Sequence, residues 1–105
     1  MFPGCIAVNV RFHRQVQNDL NETLSQYYEV SDALGDDFFA EFQVGVARVC
    51  RNPRFFHFDA SGLRRYNFDR FPYHFLYDIR DKFVRVWVVR HNHRNPSFGM
   101  RRFPR

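Results

Sequence analysis

The chain is predicted to fold as one small α+β domain: a helical hairpin packed on one face of a mainly antiparallel sheet, in the order β-α-α-β-β-β. Three observations predict it. Apolar residues alternate with period two at the start, take helical spacing from about Arg14 to Cys50, and return to period two after Leu63. Helices and strands are therefore segregated along the chain instead of interleaved, which is the α+β pattern. A length of 105 residues suits one modest core and no more.

Taken in order, Ile6, Val8, Val10 and Phe12 alternate with Ala7, Asn9 and Arg11, a first strand placed at or near a sheet edge. Val16, Leu20, Leu24 and Tyr27/Tyr28 then fall on one helical face, with Asn18, Asp19 and Glu22 among the polar positions. Ser31 to Gly35 is expected to break this helix. A second starts near Asp36-Asp37, where two acids favour the positive helix end. Its apolar stripe is Phe38/Phe39, Phe42, Val46 and Val49/Cys50. Gly45 within it costs about 1 kcal/mol against Ala, which points to close packing against the other helix. Asn52-Pro53 closes the helix, because the residue before Pro avoids the α region.

Arg54 to Gly62 is aromatic and irregular, and Leu63 to Phe71 reads as a strand. Tyr73–Ile79 and Phe83–His91, joined by Arg80-Asp81-Lys82, read as a hairpin. On it Tyr73, Phe75, Tyr77 and Ile79 are expected to face the helices, with His74, Leu76, Asp78 and Arg80 opposite. In the last strand Val84, Val86 and Val88 are expected inside, and Arg85, Trp87, Val89 and His91 on the other face. That other face is expected to be left open for function. The core is expected over residues 6–98, with a basic tail at 99–105 that is disordered at its end.

Composition bounds the function classes. Fourteen Phe, five Tyr and one Trp imply many buried rings. No run approaches the ~18 apolar residues of a membrane span, and no charged leader precedes an apolar run, so a cytoplasmic protein without membrane contact is expected. Cys5 and Cys50 lack CxxC spacing and read as buried thiols in a reducing compartment rather than as a disulfide. Residues 1–50 carry three Arg against seven acids, a net of −4, and residues 51–105 carry thirteen Lys or Arg against four, a net of +9. All but one of the basic residues are Arg, suited to bidentate phosphate or carboxylate contacts, so a polyanionic or acidic partner is expected on the C-terminal half. P-loop, GxGxxG, GxSxG and HExxH patterns are absent. His91-x-His93 lacks a third ligand nearby, so neither a metal nor a cofactor is expected.

The last third is the most informative stretch. Its hairpin runs into His91-Asn92-His93-Arg94-Asn95-Pro96, which sets imidazole and basic groups at the end of a rigid strand. Taken with Val10-Arg11-Phe12-His13, Tyr27-Tyr28-Glu29, Leu34-Gly35-Asp36-Asp37-Phe38, Asn52-Pro53 and Arg70-Phe71-Pro72-Tyr73, it resembles the RelE/ParE superfamily. These are toxins of bacterial type II toxin–antitoxin modules, also known as plasmid stabilisation proteins. The resemblance covers roughly residues 6–98, in order. It implies growth inhibition, a cognate antitoxin as partner, and either DNA gyrase (ParE-like) or ribosome-bound messenger RNA (RelE-like mRNA interferase) as target. The family's basic nuclease positions fall on Arg65, Asn67, His74 and Arg94. His74 stands for an arginine and Asn67 for a lysine, and the C-terminal tyrosine of many family nucleases has no equivalent, the last aromatics being Phe98 and Phe103. These departures favour the gyrase-directed reading over ribosome-dependent endoribonuclease activity; a plain nucleic-acid-binding module is the further alternative.

Metal-free RNA cleavage needs a base, an acid and positive charge at the phosphate. Arg65, His74 and Arg94 are the candidate catalytic set, with His91 and His93 also titrating in range. Arg64, Arg70, His91, His93, Arg101 and Arg102 are the candidate contacts to target or antitoxin. Each has a bland alternative: His74 as a packed, hydrogen-bonded imidazole, His91 and His93 as surface or folding contacts.

Overall fold

The computed structural model describes residues 9–103. Its elements are β1 (Asn9–Phe12), α1 (Val16–Val30), α2 (Asp32–Arg51), β2 (Arg64–Asn67), β3 (Tyr73–Arg80), β4 (Phe83–His91) and a short 3₁₀ turn at Met100–Arg102. This is the α+β fold with the order read from the sequence. The sheet order is β1-β4-β3-β2: β1 occupies an edge and runs parallel to β4, while β2, β3 and β4 are antiparallel neighbours. Ile6, Val8 and Cys5 lie outside the described residues. No helix among those described is long and apolar enough to cross a membrane.

The two helices are separated by Ser31 alone, not by the five-residue break expected. Ser31 is extended (φ −166°, ψ 152°), and its N–H donates to the Tyr27 carbonyl at 3.1 Å. Its Oγ accepts from the Leu34 N–H at 3.0 Å, so one serine closes α1 and caps α2. Asp36-Asp37 thus lies a turn inside α2. The glycine at the helix–helix contact is Gly35, where a Cβ would collide with the Tyr28 ring. Gly45 packs on the sheet instead, contrary to expectation. A Cβ there would sit 2.5 Å from Cε2 of Tyr66 on β2.

Helices and sheet enclose an aromatic core. Phe38 and Phe42 of α2 are fully buried, and Phe38 meets Phe68, Phe71 and Tyr73 with ring centroids 5.1 Å apart. Each large apolar side chain buried this way contributes roughly 1.5–3 kcal/mol. The buried Tyr77 hydroxyl donates to the Pro53 carbonyl at 2.7 Å, tying the exit of α2 to the sheet.

β4 departs from simple alternation. Tyr77 pairs with Val86 but Leu76 pairs with Val88, so Trp87 is an extra residue that reverses the strand's phase. Val84, Val86 and Val89 consequently join the helix-side core, while Trp87 and Val88 join Leu63 and Leu76 on the other face. The expected sidedness of Val88 and Val89 is thereby exchanged.

The second face is not left open. The tail folds back over it, with Phe98, Met100 and Phe103 packed on Leu63, Leu76, Trp87 and Val88. Gly99 (φ 82°) lies against β4, where a Cβ would come 2.6 Å from Val88. A left-handed backbone and that close approach both call for glycine. Through Phe103 the basic tail is a strap; its end, where disorder is expected, lies outside the described residues.

Arg102 fastens this strap. It makes two hydrogen bonds to the Asp19 carboxylate, at 2.7 and 3.0 Å, and a third to the Trp87 carbonyl at 3.2 Å. Asp19 also accepts from the Val89 N–H at 3.1 Å. β1 ends at Phe12, so the β4 backbone beyond Val86 lacks a strand partner on that side. The Asp19–Arg102 pair supplies the missing acceptor and donor.

Candidate functional site

The residues gathered where β2, β3 and β4 run out form one buried polar network. Antiparallel pairing places Asn67 opposite His74 and His74 opposite Arg90, on the face away from the helices. The bulge is what turns Arg90 onto this face. His74 is 1% exposed and Arg90 5%. Arg90 Nε donates to His74 Nε2 at 3.0 Å, and His74 Nδ1 lies 2.7 Å from Asn92 Oδ1. Since Nε2 accepts, the proton must reside on Nδ1, which donates to the asparagine. The guanidinium of Arg90 also donates to the Pro96 and Phe98 carbonyls at 2.8 and 3.0 Å, anchoring the root of the strap.

Asp59 balances the charge. Its carboxylate lies 3.3 Å from Arg65 and 3.9 Å from Arg90, and it accepts from the Ser61 N–H at 2.9 Å. Burial alone would raise its pKa, but the hydrogen bonds from Ser61 and Arg65 outweigh that and hold it below the usual carboxylate range. One carboxylate facing two guanidiniums leaves a net positive charge, carried at the surface by Arg65. That side chain is 31% exposed and is oriented by Asn67 Oδ1 at 2.8 Å and Asn92 Oδ1 at 3.4 Å.

His74 sits in conditions that oppose protonation. Burial, despite the Asn92 bond, and the nearby Arg65 and Arg90 charges push its pKa down to about 4. At neutral pH it is an uncharged imidazole with both nitrogens engaged. It orients Arg90 and Asn92 but presents no proton and no free lone pair to a substrate.

The remaining sequence candidates are dispersed. Arg94 stacks over Phe98, 3.9 Å from the ring centroid, and lies 3.9 Å from Glu22 of α1; among the described residues it has no hydrogen bond to His74 or Arg65. Arg64 donates to the Arg54 and Phe56 carbonyls at 3.1 and 2.7 Å and covers the Phe58 ring. Arg70 pairs with Asp37 at 3.3 Å, and its N–H donates to Glu41 at 2.9 Å. His91 packs edge-on against Tyr73 and His93, and its Nδ1 accepts from the His93 N–H at 3.0 Å. Arg101 is exposed, whereas Arg102 is held in the pair with Asp19, its side chain 10% exposed. No group of three potential metal ligands occurs among the described residues.

Arg90, Asp59 and Asn92 were not among the sequence candidates. Arg90 is recognisable only once the bulge is known, because strict alternation assigns it to the helix side. Asp59 carried a weak signal, as the one acid in an arginine-rich aromatic segment. Neither a scan against protein-family models nor a search of curated proteins finds a match to this chain.

Proposed function

We propose that this chain is the toxin of a type II toxin–antitoxin module of the RelE/ParE kind, acting in the cytoplasm as a ParE-like inhibitor of DNA gyrase and neutralised by a cognate antitoxin. Its β-α-α-β-β-β fold agrees with the one the resemblance implies. The observation that carries the non-cleaving side of the reading is the state of His74. The one imidazole in the nuclease-like set is buried, neutral and hydrogen-bonded at both nitrogens. Arg94, the third member, is engaged with Phe98 and Glu22 instead of converging on it.

The test is induction in bacteria with and without the neighbouring reading frame, followed by primer extension of messenger RNA and a supercoiling assay with purified gyrase. The reading expects growth arrest that the neighbour relieves, loss of supercoiling, and no new messenger RNA ends. Ribosome-dependent ends that vanish in Arg65→Ala or His74→Ala would replace it with the endoribonuclease reading. Free growth on induction and no co-purifying partner would remove the toxin reading altogether.

A further inference from the structure

A second cluster of cations lies on the same sheet face at the opposite edge, outside everything described above. Parallel pairing of β1 with β4 sets Arg11 directly opposite Arg85. Val10, Phe12, Val84 and Val86 belong to the helix-side core, so both arginines project from the other face. Their guanidinium carbons lie over one ring, Phe83, at 4.6 and 5.9 Å from its centroid. Like charges placed directly opposite on neighbouring strands oppose each other and weaken the sheet.

Among the described residues neither arginine has an ion-pair partner. The nearest cross-strand acid, Asp78, is committed to Arg80 at 3.0 Å and to the Trp87 indole N–H at 2.7 Å. Arg85 Nε is buried and has no hydrogen-bond acceptor, a donor left unsatisfied where most are paired. His13, two residues beyond Arg11, packs on Trp87 with centroids 5.7 Å apart. Its pKa is lowered by burial first and then by Arg102, Arg14 and Arg85, against a smaller opposing effect of Asp19. Local potential at this edge is therefore positive.

We infer that Arg11 and Arg85, flanked by His13, form a phosphate-binding site on the β1–β4 ladder. Two adjacent guanidinium forks suit a tetrahedral anion with several acceptor oxygens, and a bound phosphate would relieve the arginine repulsion. The exposed Lys82 at the hairpin tip and the exposed Arg14 after β1 extend the positive stripe in both directions, which suits a chain of phosphates. The inference does not depend on the toxin reading.

The test measures anisotropy of a labelled single-stranded oligonucleotide and, separately, NMR shifts of arginine Nε–H and His13 with inorganic phosphate at matched ionic strength. Arg11→Gln and Arg85→Gln are compared with Arg51→Gln and Arg54→Gln, equal charge changes at exposed positions at the end of α2 and just beyond it. Each strand variant should weaken oligonucleotide binding on the order of 10-fold or more and reduce the salt slope by about 1, with the controls near wild type. Melting temperatures of the strand variants should be unchanged or raised, since a like-charge pair is relieved. A response at Arg11 and Arg85 in the phosphate arm alone upholds the site and identifies a free phosphate or mononucleotide as its ligand. Equal loss in all four variants, no response in either arm, or displacement by polyglutamate as efficient as by polynucleotide would overturn it. Lower melting temperatures with unchanged binding would instead make the pair structural.

Discussion

Removing the Arg102 guanidinium should unfasten the strap at a cost far above that of a surface ion pair. The Asp19 and Arg102 side chains are 5% and 10% exposed. In Arg102→Ala the carboxylate loses both charged donors and keeps only the Val89 N–H, while the Trp87 carbonyl loses its side-chain donor. Breaking a buried pair from one side costs about 3–5 kcal/mol. For a domain of this size each kcal/mol moves the melting temperature by about 4–8 °C, so even the lower bounds give a fall of about 12 °C. Circular dichroism melts and urea titrations of Arg102→Ala measure it, with the exposed Arg101→Ala expected within about 0.5 kcal/mol of wild type. Asp19→Asn combined with Arg102→Met should recover more than about 1 kcal/mol, because no charge is then stranded and the asparagine oxygen can still accept from Val89. A loss below about 1 kcal/mol for Arg102→Ala, the size of an exposed pair, would refute the clamp.

His74 has a folded pKa of about 4 against 6.5 ordinarily, so the unfolded chain binds the extra proton. Its contribution is fully present above pH 6.5 and is lost as pH falls toward 4, by on the order of 3 kcal/mol. Urea titrations across that window should show the slope in wild type and a flatter one in His74→Gln; identical slopes would exclude His74 as the source. Gly45→Leu should cost about 1–3 kcal/mol by overpacking, since Tyr66 is itself held between Phe75 and Phe56; an unchanged melt would mean that Gly45 is not against the sheet. Gly35→Ala should shift stability by less than about 1 kcal/mol, because the half-exposed Tyr28 ring can swing aside and helix propensity improves. A larger fall would mean that the Tyr28–Asp36 hydrogen bond fixes the hairpin.

The element order, the helix stripes and the hairpin bounds were legible because they rest on periodicity, which each segment carries within itself. What was not legible depends on contacts between segments. Ser31 reads as the start of a loop until its hydroxyl is seen capping the next helix. Gly45 announces a close approach but not to what, and the answer is a tyrosine on β2. Asp19 looks like one more solvated helix acid; its partner lies 83 residues away. Of the candidate site, Arg65 and His74 were found and are brought together by Asn92, but Arg90 was missed because a bulge has no signature in an unbroken run of strand-forming residues. Arg102 reads from the sequence as a contact to target or antitoxin, whereas the structure sets it against Asp19, where it holds the tail.

The extra residue at Trp87 makes the inside and outside of β4 a matter of parity. Counting from Phe83, odd steps reach the helix side before the bulge and even steps reach it afterwards, as Val84 and Val89 show. Forcing Trp87 into a regular ladder position would turn Arg90 into the aromatic layer and bring His91 round to the face of His74. Any transplanted or recombined version of this hairpin therefore has to conserve the bulge as strictly as residue type, because flattening it exchanges core for surface beyond Trp87 without altering a single side chain.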